Sequence, residues 1–463
     1  MSKHKILATL GGGLLLLTSS ALAATLEQRV GQLEKDIDEM NERVDANELA
    51  ATLNKVKFGL EFNTSVHNII SKTGGVTNDY YNRWMMGLYL NMNADINQYT
   101  KFTGRLSMTK AFGDLEVGLP YAIGSLDAGR GASGGSSIYV ERAYVDIYMG
   151  RYAALTMGRL PGTDGPGSNL RNGSARMSTY PALAVNALGD GVVLTLKPYT
   201  NSALRVGYSK VYQSFDTNGN STAGSIFGSG AANTADANLF FGAFETPFLP
   251  SNFGKNLFML TYINLTNYTA PGALLTAAAN AYLAQMGQPT NASVGSSNLG
   301  DMQYINAHFE NDRLLGSGLN WFVSASYYIG TKSHNVNASV TNGTTTTNQS
   351  LGNPFFAERD GWAVHAGLRY DFGLYFKIGY EYFKGSKNWY AFSRVSINDP
   401  FNFRNTRGDV HDVYAIWQLD LNQFFRLSYT RQHQQYATAT APMITPATNV
   451  VNQNISLAYI LRF

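Results

Sequence analysis

From about Val56 to the end of the chain, apolar and polar residues alternate with a period of two. Met86, Leu88, Leu90, Met92 and Ala94 share one face, while Gly87, Tyr89, Asn91, Asn93 and Asp95 share the other. Trp362, Val364, Ala366, Leu368 and Tyr370 oppose Ala363, His365, Gly367 and Arg369 in the same way. Next, Leu374, Phe376, Ile378, Tyr380 and Tyr382 oppose Tyr375, Lys377, Gly379, Glu381 and Phe383. Successive side chains of a strand point to opposite faces, so each segment predicts a strand with one apolar and one polar side. Strands of about ten residues with this pattern suit a closed barrel crossing a bilayer, apolar outside and polar inside. A soluble sandwich alternates too, but it would need many strands of ordinary length, not these long aromatic-flanked ones.

The connections also alternate. Short turns are expected at Met149-Gly150-Arg151, Lys197 to Asn201, Asp371-Phe372-Gly373 and Leu421-Asn422-Gln423. Long polar segments fall near 69–82, 113–136, 162–189, 214–236, 267–300, 332–360, 385–408 and 436–449. Pairing each long loop with a short turn predicts an all-β antiparallel barrel of about 16 strands over 55–463, with short periplasmic turns and long outer loops. Trp84, Trp362 and Tyr382 fall at the outer strand ends, and Trp321, Phe425 and Phe463 at the periplasmic ends. Two aromatic girdles at the lipid boundaries are what tilted membrane strands need. Within the fifth long segment, the alanine-rich stretch Leu274 to Met286 predicts a short helix. It is expected to pack over the channel mouth or against a neighbour.

Before Val56 the period is different. Leu26, Val30, Leu33, Ile37, Met40 and Val44 are spaced by alternate fours and threes, with charged residues between them. This predicts a short periplasmic α-helical coiled coil over 24–54, about 40 Å long if fully helical. The packing rule leans toward a parallel dimer. A single amphipathic helix lying on the barrel or the cell wall is the other reading. Residues 1–23 predict a cleaved secretory signal peptide: Lys3 and Lys5, an apolar run from Ile6 to Leu17, then Ala21-Leu22-Ala23.

Composition narrows the classes. There is no cysteine, which excludes disulfides, thiolate metal sites and thioether-attached haem. No metal or cofactor motif is present, and a net charge of +3 does not point to nucleic acid. Charged residues are 14% against 13% aromatics and 46 glycines, which suits strands and turns better than a helical bundle.

A barrel of this size leaves an aqueous channel that something must narrow. The third long loop offers Asp164, Arg171 and Arg176 as a charged constriction. Its glycines and prolines permit tight bends. On the wall, alternation points Arg105, Arg142, Arg205, Arg369, Arg426, Lys197 and Lys377 inward, with Glu61, Asp95, Asp146, Glu381 and Asp412. A charge on the lipid face at mid-depth costs about 2–4 kcal/mol, so inward placement is favoured. The mixture predicts weak selectivity, leaning to anions. Cross-strand ion pairs are the alternative role for any one of these residues, and a lumen histidine such as His365 is expected to be hydrated.

The chain ends Ile455-Ser-Leu457-Ala-Tyr459-Ile-Leu461-Arg-Phe463. Tyr459, Leu461 and Phe463 resemble the terminal signal by which Gram-negative outer-membrane barrels reach their assembly machinery. Gly158-Arg159-Leu-Pro161-Gly-Thr-Asp164-Gly-Pro-Gly, followed by Ser178-Thr-Tyr-Pro181-Ala-Leu-Ala184, resembles an outer-membrane family known only as a domain of unknown function. That family has a signal peptide, a short coiled coil and a porin-like barrel. Glu141-Arg142-Ala-Tyr144-Val-Asp146 with Thr156-Met-Gly158-Arg159 is similar to a strand pair in phosphate-selective and general porins. The resemblance implies passive diffusion of small hydrophilic solutes and ions, and a homotrimer in the lipid of the outer membrane. A lysine- and arginine-rich track like that of the phosphate-selective members is not evident.

Three rivals stand beside this expectation. An enzyme would need a histidine and carboxylate around a nucleophile or water, and the histidines show no such local motif. A ligand-specific uptake channel, for a siderophore or an anion, would bind saturably. A structural tether would hold peptidoglycan through the coiled coil.

Overall fold

The computed structural model describes residues 56–112, 138–199, 201–212, 236–270, 360–393, 395–437 and 447–463. It also describes most of 275–350 and helical positions between 31 and 42. The chain divides into two units, Met1–Val56 and Lys57–Phe463. In the first unit the described positions are helical, with Ile37 and Met40 of the apolar stripe exposed. The signal segment 1–23, much of the heptad stretch, and the second and fourth long loops lie outside the described residues.

The second unit is built on one closed antiparallel barrel of sixteen strands. They are β1 (Val56–Thr73), β2 (Val76–Asn97), β3 (Thr100–Ala111), β4 (Tyr139–Met149), β5 (Ala153–Arg159), β6 (Asp190–Tyr199), β7 (Ser202–Tyr212) and β8 (Ala237–Thr246). Then follow β9 (Lys255–Thr266), β10 (Gly300–Asp312), β11 (Leu319–Ser333), β12 (Gly361–Phe372), β13 (Phe376–Gly385), β14 (Gly408–Gln418), β15 (Gln423–Tyr436) and β16 (Ala447–Arg462). Each strand pairs with its predecessor. β16 returns to β1, from Glu61 opposite Arg462 to Lys72 opposite Val451. An even strand count lets the first and last strands meet antiparallel, and closure leaves no open edge.

The alternation read from the sequence becomes the two faces of this wall. Leu368, Tyr370, Ile378, Tyr380, Val413, Leu427, Tyr429, Ile455 and Leu457 are exposed on the outside. His365, Glu381, Asp412, Arg426, Ser428 and Ser456 are buried inside. A soluble protein rarely exposes so large a continuous apolar surface.

Two expectations about connections need correction. The first long segment, 69–82, is mostly strand: β1 and β2 run on to a tight turn at Gly74 and Gly75, both with positive φ. The turn needs only two residues, and paired strands satisfy the backbone of the rest. The turn expected at Asp371-Phe372-Gly373 falls at 373–375 instead.

The long loops of one end fold into the barrel. Leu160, Tyr180, Leu183 and Ala184 of the third loop join one apolar cluster with Tyr268, Leu275, Ala279 and Leu283 of the fifth. Trp389, Tyr390 and Phe403 of the seventh loop complete it, against wall residues Tyr304, Tyr328 and Phe383. Leu275, Ala279 and Leu283 repeat every four residues, the stripe of a helix with one buried face. The alanine-rich segment thus packs inward at the long-loop end, through described helical positions.

Candidate functional site

The third loop reaches the wall through its own backbone. Gly162 and Gly165 lie against chain where a side chain would not fit: a Cβ on Gly165 would stand 1.7 Å from the Tyr180 carbonyl oxygen. The loop then makes one helical turn, Asn169–Asn172, ended by Gly173 in the left-handed region. That turn presents carbonyl groups to a ring of arginines.

Arg142 donates to the Met177 carbonyl at 2.9 Å and to both oxygens of Thr163, at 3.0 and 2.7 Å. Arg369 donates to the Leu170 carbonyl at 2.9 Å and to both oxygens of Asp371. Arg426 donates to the Arg171 carbonyl at 2.9 Å and to Asn398 Oδ1 at 2.8 Å. Arg171 itself donates to Asp412 at 2.7 Å and to the Asn398 carbonyl at 2.6 Å. Asn398 belongs to the seventh loop, whose Arg404 donates back to the Gly167 carbonyl at 3.2 Å. The third and seventh loops therefore hold each other, and the wall holds both. Burial pushes Asp399 of the seventh loop above the usual carboxylate range, against the opposing pull of Arg171 and Arg404.

Arg105 sits on the far wall. It packs 4.2 Å over the Tyr89 ring and lies 3.4 Å from Glu61 and 3.3 Å from Glu141. A bulge in β4 lets Glu141 and Arg142 both point inward, although they are consecutive. Asp164 is half-buried and borders a cavity of about 40 Å3 with Arg105, Glu61 and Arg462.

The residues expected at a constriction are thus distributed. Asp164 and Arg105 share that small cavity, and Arg142 meets the loop nearby. Arg171 is fully buried in its pair with Asp412 and is not a free constriction charge. Arg176 keeps 37% of its side chain exposed and lies 3.6 Å from Glu310. Arg205 pairs with Glu245 at 2.9 Å, Asp146 accepts from Thr156, and Lys377 reaches Gln418 at 3.4 Å. Glu381 is buried against His365 at 3.0 Å, so that histidine is paired with a carboxylate rather than hydrated. Phe463 is 71% exposed. Its backbone exchanges hydrogen bonds with Leu60 at 2.8 and 2.9 Å, while Leu461 and Tyr459 lie opposite Phe62 and Thr64.

Sequence reasoning missed the seventh loop and Glu141. The loop's signal was its content: Trp389, Tyr390, Phe392, Phe401, Phe403, Arg404 and Arg407 are unusual for a hydrated surface connection.

At the short-turn end a cavity of about 1110 Å3 opens below the third loop. Asn169, Leu170 and Gly173 to Ala175 of the third loop close it, and its rim is formed by turn residues including Asn201, Ser251 and Gly316. Lys255, Arg313, Arg369 and Lys377 line it, against Asp312 and Asp371. The excess of cations gives this vestibule a positive potential.

The architecture is similar to that of Salmonella typhi OmpF in its complex with daunomycin, at 10% identity and a TM-score of 0.46, covering 88% of this chain and 98% of that one. No curated protein matches the sequence. A family model described as a protein of unknown function (DUF3373) matches residues 76–457, well over half of the chain, so the protein belongs to the DUF3373 family.

Proposed function

We propose that this chain is an outer-membrane channel for small hydrophilic solutes, narrowed by the third loop with the seventh locked beside it. The observation that carries the reading is the closed sixteen-strand wall, apolar outside and charged within. Closure satisfies every backbone polar group, the condition for crossing lipid with strands. The long loops then face outward and the basic vestibule faces the periplasm, which supports a preference for anions. A cleaved signal peptide, outer-membrane lipid around the wall, delivery by the barrel-assembly machinery through Phe463, Leu461 and Tyr459, and a homotrimer complete the proposal. The heptad segment is the element suited to pair between copies or to contact peptidoglycan.

A second reading, a gated or ligand-specific channel, is favoured by one observation. Arg171 is buried against Asp412, Glu381 against His365, and Arg426 against the Arg171 carbonyl and Asn398, instead of lining water. Single-channel conductance of the refolded mature protein in a planar bilayer tests both. Steady steps with an anion-directed reversal potential support the open channel. A silent barrel that opens only with a solute supports the gated one. A folded barrel silent under all solutes overturns both.

A further inference from the structure

The outside of the wall is largely apolar and carries charge toward the long-loop ends: Arg159, Asp190 and Lys210 share one rung of β5 to β7, and a second group lies on β13 to β15. There Lys384 lies opposite Asp409, and Asp409 opposite His433. In the next rung Tyr382 lies opposite His411, and His411 opposite Arg431. The rung below is Tyr380, Val413 and Tyr429, and the one after it Ile378, Ala415 and Leu427. Charge therefore begins where the tyrosines end, as at a lipid headgroup boundary.

Asp409 is the one carboxylate at the centre of this patch. Lys384 lies 3.8 Å from it, His411 3.7 Å, Arg431 3.6 Å and His433 3.3 Å. His411 also meets the Tyr380 hydroxyl, and His433 meets Asn449. Two permanent cations share one negative charge at long distance, and both keep about a third of their side chains exposed. Along the upper rung, Lys72 of β1 stands opposite Val451, which stands opposite His433.

Beside the patch is a cavity of about 470 Å3 on the same face, lined by Asn68, Ile70, Tyr81, Tyr429, Gln453 and Ile455. Gln453 is the register partner of Arg431, and Ile455 that of Tyr429. The cavity thus starts at the cationic rung and runs down into the apolar one. Asp79, bonded to the Tyr81 hydroxyl, is the acid on the opposite rim.

We propose that this face binds a phosphate-bearing lipid. Lys384 and Arg431, held in place by Asp409, take the phosphate oxygens, and Lys72 adds charge from the side. One acyl chain lies in the groove between Ile70, Tyr81, Tyr429 and Ile455. Cations beside an apolar groove, with Arg431 the register partner of its Gln453 edge, select an amphipathic anion over a free one. The site rests on the reading that the wall spans a membrane.

The test is native mass spectrometry of the full mature chain in non-ionic detergent. The probes are phosphatidylglycerol, phosphatidylcholine of the same chains, and inorganic phosphate. Phosphatidylglycerol is expected to stay bound at concentrations lower by about tenfold than phosphatidylcholine, given two surface cations. Lys384→Gln with Arg431→Gln should erase that preference. Ile455→Trp, which fills the groove from outside, should weaken both lipids. Equal retention of the two lipids overturns the proposal, as does inorganic phosphate displacing phosphatidylglycerol at equal concentration. Insertion into phosphatidylcholine vesicles is measured separately. A barrel that inserts without discriminating loses only the lipid site, whereas one that does not insert loses the membrane reading.

Discussion

Arg171 in the third loop and Asp412 on the wall meet at 2.7 Å across 241 positions of sequence, with both side chains buried. Removing the guanidinium would strand a buried carboxylate, a loss of about 3–5 kcal/mol. It would also release the Asn398 carbonyl, so the seventh loop would loosen with the third. Arg171→Ala is expected to raise single-channel conductance and expose 162–189 to protease, while the barrel stays heat-modifiable in gels. Unchanged conductance with unchanged protection would show that the pair does not hold the constriction.

Acid should tighten the same latch. Burial raises the carboxyl pKa of Asp399 in the folded chain above its unfolded value, despite the nearby Arg171 and Arg404 and the Phe403 amide. Between the two values the folded state holds more proton than the unfolded one, so its stability falls as pH rises through that window. The contribution is fully present below the unfolded carboxylate pKa and lost above the folded one. Protease protection of 386–407 is therefore expected to increase on acidification, and Asp399→Asn should flatten the profile. A wild-type profile that is flat, or that rises with pH, would reverse the assignment.

The wall was legible because a period of two is local. Trp362 to Tyr370 and Phe376 to Tyr382 show their faces without any partner and fall on the sides read for them, while Leu374 and Tyr375 fall in the turn. Glu141 was not legible: strict alternation sends it to the lipid side, and only the β4 bulge turns it inward beside Arg142. The seventh loop was hidden for a different reason. Asn398 and Arg404 acquire their roles from Arg171 and Gly167, more than 200 residues away, and no local pattern encodes such contacts. Arg171 was found as a charge in the right loop, yet its burial against Asp412 depends on the closed barrel.

The vestibule sets a prediction about selectivity. Lys255 and Arg313 line the cavity without belonging to the latch, unlike Arg369. Replacing both with glutamate turns its excess of cations into an excess of acids. The reversal potential in a potassium chloride gradient is expected to move toward cation preference, with little change in conductance. A potential that does not move would place the selective charges elsewhere.

Gly165 tests the loop's seat from the backbone side. A Cβ there would stand 1.7 Å from the Tyr180 carbonyl oxygen, so no rotamer can relieve the clash. Gly165→Ala is expected to cost at least the usual overpacking penalty, about 1–3 kcal/mol. The loop should leave its seat and the conductance should rise as it does for Arg171→Ala. A variant with wild-type conductance and wild-type protection of 162–189 would contradict this.

The terminal residue separates closure from recognition. Phe463 shares two backbone hydrogen bonds with Leu60, and its exposed ring faces outward. Phe463→Ala keeps the backbone bonds and removes the ring. Deleting the residue removes both, including bonds worth about 0.5–1.5 kcal/mol each. If the ring is the assembly signal, both variants should accumulate unfolded in cells, yet Phe463→Ala should refold in detergent and reach near wild-type heat stability. If the residue serves closure alone, Phe463→Ala should assemble normally in cells and only the deletion should lose stability. The amount of heat-modifiable barrel in outer-membrane fractions, set beside the melting temperature after refolding, distinguishes the two.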